Sequence, residues 1–191
     1  VAEGKKDEAA KLIGDGSRFL SDEKLSAADI TGVAEITDAL GRSEEVVKTL
    51  VDGKYPPPVY GAVAGFLDAQ NKKDVALSLL ERGALLYPRG LARTDYERYL
   101  ALAQAAGKTA QIDEALVPGE FVSVIAQELM EKGQNDAALS KFTHKRRDEW
   151  TDKDFGLCSQ LYLKLGMLDL AEEILKQHQA SHSLADAPDM Y

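Results

Sequence analysis

One short pattern headed by glycine or asparagine recurs along this chain, and it constrains the fold more than any other feature. It appears six times: GKKDEAAKLI from Gly4, GRSEEVVKTL from Gly41, NKKDVALSLL from Asn71, GKTAQIDEAL from Gly107, GQNDAALSKF from Gly133 and GMLDLAEEIL from Gly166. Gly and Asn enter the left-handed backbone region at the least cost, as the residue closing one helix must before the chain reverses into the next. Each is therefore predicted to be a hinge between two helices. Five residues past the hinge stand Ala9, Val46, Ala76, Ile112, Ala138 and Ala171, and nine past it Ile13, Leu50, Leu80, Leu116, Phe142 and Leu175. A step of four puts both series on one helical face, so they are expected in the core.

The same register continues upstream of five hinges. Eleven residues before them lie Ile30, Tyr60, Tyr96, Val122 and Phe155, and eight before lie Val33, Val63, Tyr99, Ile125 and Cys158. Seven before, the series is mostly small (Ala34, Ala64, Leu100, Ala126, Ser159), as suits two helices that approach closely. The unit is a helical hairpin, and successive hinges are 37, 30, 36, 26 and 33 residues apart, near the ~34 of helix-turn-helix repeats. No alternating apolar run bounded by turns suggests a strand. The expected fold is all-α: an α-solenoid of about five helix-turn-helix hairpins with a leading half-unit, forming a single domain over 1–180, with a tail at 181–191. The half-unit, Val1 to Leu20, is expected to cap the first hairpin. Pro56, Pro57, Pro58, Pro88 and Pro118 punctuate the array, and Ser26, Thr94 and Thr151 or Asp152 are credible helix starters. Gly16, Gly53, Gly83 and Gly119 all fall twelve past a hinge, where each either ends the second helix or marks a close approach.

Composition excludes several functions. With 45% hydrophobic and 29% charged residues the 191-residue chain is globular rather than disordered. A single cysteine, Cys158, rules out an internal disulfide and a cysteine-rich zinc site, and its place among Val, Tyr and Ile makes it a small buried hydrophobe. No apolar run approaches the ~20 residues of a membrane span, so membrane insertion is not expected. A net charge of −9 provides no obvious source for the counterion release that drives nucleic-acid affinity. The first residue, Val1, suggests a processed or trimmed chain.

The hinges and their flanking positions resemble those of the pentatricopeptide repeat, with the tetratricopeptide repeat a close second. The segments 58–85 (PVYGAVAGFLDAQNKKDVALSLLERGAL) and 155–177 (FGLCSQLYLKLGMLDLAEEILKQ) carry the likeness best, within a span of 26–178. The resemblance implies an α-solenoid, and in the first family an organellar factor that binds single-stranded RNA, one base per repeat. The reading side chains it implies are those ten before each hinge, Thr31, Gly61, Glu97, Ser123 and Gly156, paired for the first four with Pro57, Arg93, Gly119 and Asp152. Glycines offer no donor, and Glu97 would face a polyanion, so only Ser123 with Asp152 resembles a usable reading pair. The departure from the RNA-reading pattern, with the small size and acidity, is similar to that of accessory subunits attached to the F1 sector of mitochondrial ATP synthase in some protists. That likeness implies a non-catalytic, mitochondrial protein that binds F1-ATPase subunits from outside and aids assembly or stability.

Candidate chemistry is sparse. Gly107, Lys108 and Thr109 end like a phosphate-binding loop, but position 102 is Leu where that loop needs glycine. His178 and His182 are spaced as zinc ligands on a helix but lack a third ligand, and Ser183 and Asp186 beside His182 do not make a triad by adjacency. Neither catalytic residues, metal nor cofactor is expected. The densest basic cluster, Lys145, Arg146 and Arg147 after His144, is followed at once by Asp148 and Glu149, which argues against a nucleic-acid patch. With Trp150, the only tryptophan, it is a candidate protein contact, since Arg and Trp are enriched at interface hot spots. The tail contains Pro188 and little apolar periodicity, so Leu184, Met190 and Tyr191 are its candidate anchoring contacts with a partner.

Overall fold

The structure, a computed structural model, describes residues 26–39, 41, 43–143, 145 and 147–185. Among them are nine α-helices, two 3-10 turns and no strand, so the all-α expectation holds. The chain divides into two compact units, Val1–Ala106 and Gly107–Tyr191. The first contains α1 (Ala27–Ala39), α2 (Ser43–Asp52), α3 (Pro57–Ala69), α4 (Lys73–Leu86) and α5 (Arg93–Ala105). The second contains α6 (Gly119–Glu131), α7 (Asn135–Ser140), α8 (Asp152–Lys164) and α9 (Leu168–Ala185). The leading half-unit from Val1 to Leu20 lies outside the described residues.

All five described hinges adopt the left-handed backbone: φ is +70° at Gly41, 60° at Asn71, +68° at Gly107, and +75° at both Gly133 and Gly166. After Asn71, Gly133 and Gly166 the next N–H donates back to the carbonyl five positions earlier, Lys72 to Leu67, Gln134 to Leu129 and Met167 to Tyr162, at 2.8–2.9 Å. That bond uses a carbonyl the helix end would otherwise leave unpaired. Four hinges join two helices: α1 to α2, α3 to α4, α6 to α7 and α8 to α9.

Gly107 does not, and this corrects the count of five hairpins. A 3-10 turn, Thr109–Gln111, replaces the second helix. Lys141 explains why, because its ammonium takes the carbonyl oxygens of Ala110 and Ile112 at 3.0 and 2.5 Å and lies 3.5 Å from Glu114. Those carbonyls are spent on a side chain from another segment instead of a helical ladder. Asp113 reinforces the turn by accepting the Ala115 N–H at 2.9 Å, and Thr109 donates to Glu128 of α6 at 2.8 Å.

The upstream series forms the core as expected: Ile30, Tyr60, Tyr96, Val122 and Phe155 are buried, as are Val63, Tyr99, Ile125 and Cys158, whereas Val33 is half-buried. Tyr60 and Tyr96 do more than fill space. Each phenol oxygen accepts the backbone N–H five residues upstream, from Tyr55 at 3.3 Å and from Leu91 at 3.4 Å, which ties down the loops before α3 and α5. Burial pushes both phenols above their ordinary pKa. Downstream of the hinges, Leu50, Ala76, Leu80, Ile112, Ala138, Phe142 and Ala171 are buried, but Val46 and Leu116 only partly so. Leu175 is 45% exposed and Ile174 takes its place in the core at 3%. A step of three from Ala171 selects the same general face as a step of four. Packing decides between them: Ile174 joins Phe155 and Cys158, and His178, one turn on, lies against the Phe155 ring at 5.0 Å.

The twelfth residue past the hinge has three fates. Gly53 follows the end of α2, Gly119 opens α6, and Gly83 lies inside α4 where a Cβ would stand 3.0 Å from Cβ of Tyr60. Ser26 and Thr151 cap α1 and α8 as expected: Ser26 exchanges hydrogen bonds with Asp29 and Thr151 forms a capping box with Asp154. Thr94 does not cap; it lies within α5, whose N-cap is Ala92. Pro57 and Pro58 occupy the first turn of α3, where a missing N–H is no loss. Ala76, with no exposed surface, leads to a simple expectation. Ala76→Leu should overpack the α3–α4 hairpin and cost about 1–3 kcal/mol, seen as a lower urea midpoint; an unchanged midpoint would mean that the helices do not meet there.

Candidate functional site

The predicted basic contact cluster separates into unlike parts. Lys145 is the correction: it is only 7% exposed, and its ammonium donates to Asp154 Oδ2 at 2.7 Å and to the Gly119 carbonyl at 2.9 Å. It therefore offers no charge to a partner. Asp154, with no exposed surface, also accepts from the Ser123 hydroxyl, and from the Thr151 N–H and hydroxyl at 2.7 Å each. Burial alone would raise this carboxyl, but the Lys145 ammonium and the Ser123 and Thr151 donors outweigh it and hold the pKa below its ordinary value. Arg147 is exposed and lies over the Trp150 ring, its Cζ 3.7 Å from the ring centroid. Trp150 in turn donates its indole N–H to the Lys145 carbonyl at 3.1 Å and packs against Phe142 and Phe155, ring centroids 5.2 Å apart in both cases. His144, Arg146, Met190 and Tyr191 and the side chain of Leu184 lie outside the described residues.

These contacts also relocate the supposed reading pair. Ser123 is buried and bonded to Asp154, while Asp152 is exposed and lies 3.0 Å from Nε2 of His178. Cys158 is buried as expected, and burial pushes its thiol up to about 11, with Arg147 opposing and Asp154 adding to the shift. No group of His, Cys, Asp and Glu able to hold a metal occurs among the described residues, and no described helix is long and apolar enough to cross a membrane.

A further concave feature is one that motif reading missed. In the first unit a cleft of about 870 Å³ is lined by residues of α1, α3 and α5 and of the loop before α5. Gly61, Ala62 and Gly65 bring the α3 backbone to its surface, Pro57, Pro58 and Phe66 form apolar wall, and Glu35, Asp95 and Arg98 supply charge. Asp95 is 8% exposed and rests directly on α3, since a Cβ on Gly61 would collide with its carboxylate. Its partners are the backbone N–H of Ala92 and the Arg98 guanidinium, 3.3 Å away. Arg98 is shared, lying 3.7 Å from Asp68 as well. Burial raises the Asp95 pKa, and Arg98 and the Ala92 N–H only partly offset it. The signal in sequence was a glycine at the tenth position before the hinge, which reads as the loss of a side chain; in the fold it makes room. No protein-family model, curated protein or solved structure matches the chain.

Proposed function

We propose that this protein is a non-catalytic, protein-binding subunit of a larger assembly, and that the cleft of its first unit receives a segment of the partner. The observation that carries this reading is the cleft itself: about 870 Å³ of concave surface, with a floor of small residues that lets another chain approach closely and with apolar walls to bury. The finer reading is an α-solenoid of pentatricopeptide-like hairpins serving as an accessory subunit on the outside of mitochondrial F1-ATPase. It draws support from the resemblance of segments 58–85 and 155–177 and from the left-handed hinges at Gly41, Asn71, Gly107, Gly133 and Gly166.

A native pull-down of the tagged chain, with and without ribonuclease, tests both levels. Proteins should co-purify and survive ribonuclease, with ATP synthase subunits among them if the finer reading holds. Ala62→Trp, which fills the cleft from a half-buried position, should abolish their recovery while leaving the melting temperature within a few degrees. Full recovery with a filled cleft would refute the cleft as the docking site, and recovery that depends on RNA would favour an organellar RNA-binding factor instead.

A further inference from the structure

Asp95 and Asp154 occupy the same place in their helices. Each is the third residue of its helix and stands twelve before its hinge, Gly107 or Gly166, and each accepts the backbone N–H of its N-cap residue. Their other donors differ. Asp154 receives the Ser123 hydroxyl, the Lys145 ammonium and the Thr151 hydroxyl. Ser123 stands ten before the hinge Gly133 and Lys145 twelve after it; the matching residues around Asn71 are Gly61 and Gly83, and the N-cap matching Thr151 is Ala92. Every side-chain donor that satisfies Asp154 is thus missing at Asp95. Arg98 replaces them incompletely, at 3.3 Å against 2.7 Å for Lys145, with the same guanidinium facing Asp68. Whereas Asp154 has no exposed surface, Asp95 lines an open cleft that Glu35 makes more negative.

We infer that the cleft takes a lysine side chain of the partner's segment, whose ammonium supplies at Asp95 the charge that Lys145 supplies at Asp154. Phe66, Ala62 and the Pro57–Pro58 wall accept the apolar stem of that lysine, and the ammonium completes a carboxylate that the chain's own residues leave under-served. Arginine fits less well, because a planar guanidinium already occupies one side of Asp95. The inference rests on the cleft being the protein-docking site proposed above.

The test uses the full chain and short blocked alanine peptides carrying one central lysine or one central norleucine, with butylamine as the free amine, titrated while the amide resonances of Gly61 and Gly65 are followed. The lysine peptide should move both resonances saturably and bind at least about tenfold more tightly than the norleucine peptide, a difference Asp95→Asn should erase. Equal binding of the two peptides, or no movement of Gly61 and Gly65, overturns the inference. Butylamine binding as tightly as the lysine peptide overturns it too, since the site would then recognise a free amine and not a chain. The pull-down separates the two levels: partner loss with Ala62→Trp but not with Asp95→Asn leaves the docking cleft standing and removes the lysine anchor.

Discussion

Lys145→Met is expected to destabilise the protein by about 3–5 kcal/mol, because it strands a carboxylate that has no contact with solvent. The Lys145–Asp154 pair has side-chain exposures of 3% and 0%, so water cannot take the place of the ammonium. The double variant Lys145→Met, Asp154→Leu should recover much of the loss, since removing both charges removes the buried orphan along with the attraction. Urea denaturation followed by Trp150 fluorescence suits the measurement, because the indole N–H is bonded to the Lys145 carbonyl itself. A single variant within about 0.5 kcal/mol of wild type would show that the pair does not form. The pH dependence follows from the same geometry. The Asp154 pKa in the folded state lies below its ordinary 3.8, so its contribution is fully present above that value and is lost as pH falls through the lower folded value. Wild type should therefore lose stability in that acid range more steeply than the double variant.

Ile174→Ala should cost about 2–5 kcal/mol while its neighbour Leu175→Ala stays within about 0.5 kcal/mol of wild type. The side chains are isomers on adjacent positions of α9, but one is 3% exposed and the other 45%. Chemical denaturation of the two single variants reads the register of α9 directly. Equal costs, or the reverse order, would restore Leu175 to the core and shift α9 by a residue against α8.

The pair shows where sequence periodicity loses resolution. Steps of three and four both follow a helix face, and counting from Gly166 selected Leu175 where the buried residue is Ile174. The choice belongs to Phe155, Cys158 and His178, which the fold assembles from two helices around that spot. Lys145 failed as a surface contact for a related reason. In sequence Lys145 adjoins Arg146 and Arg147 and reads as one patch with them, yet its partners are Asp154 and the Gly119 carbonyl, nine and 26 residues away. Arg147, two positions on, turns outward over Trp150 instead. The missing second helix after Gly107 is another case, decided by Lys141 reaching back across 29–31 residues to the carbonyls of Ile112 and Ala110.

By itself the sequence determined what depends on a few neighbouring residues: an all-α chain, its left-handed reversals at five described hinges, and the apolar face of most helices. A positive φ is a property of one residue and its turn, and amphipathicity a property of a dozen, so both are written locally. Only the tertiary structure decided which charges are buried and where a cleft opens. Asp95 and Asp154 hold the same position in their helices, and what separates them is that Gly61 and Ala92 bring no side-chain donor to Asp95, whereas Ser123, Lys145 and Thr151 each bring one to Asp154. Whether a carboxylate is sealed or left facing a cleft depends on side chains brought from separate segments, because desolvation and charge pairing act through space and not along the chain.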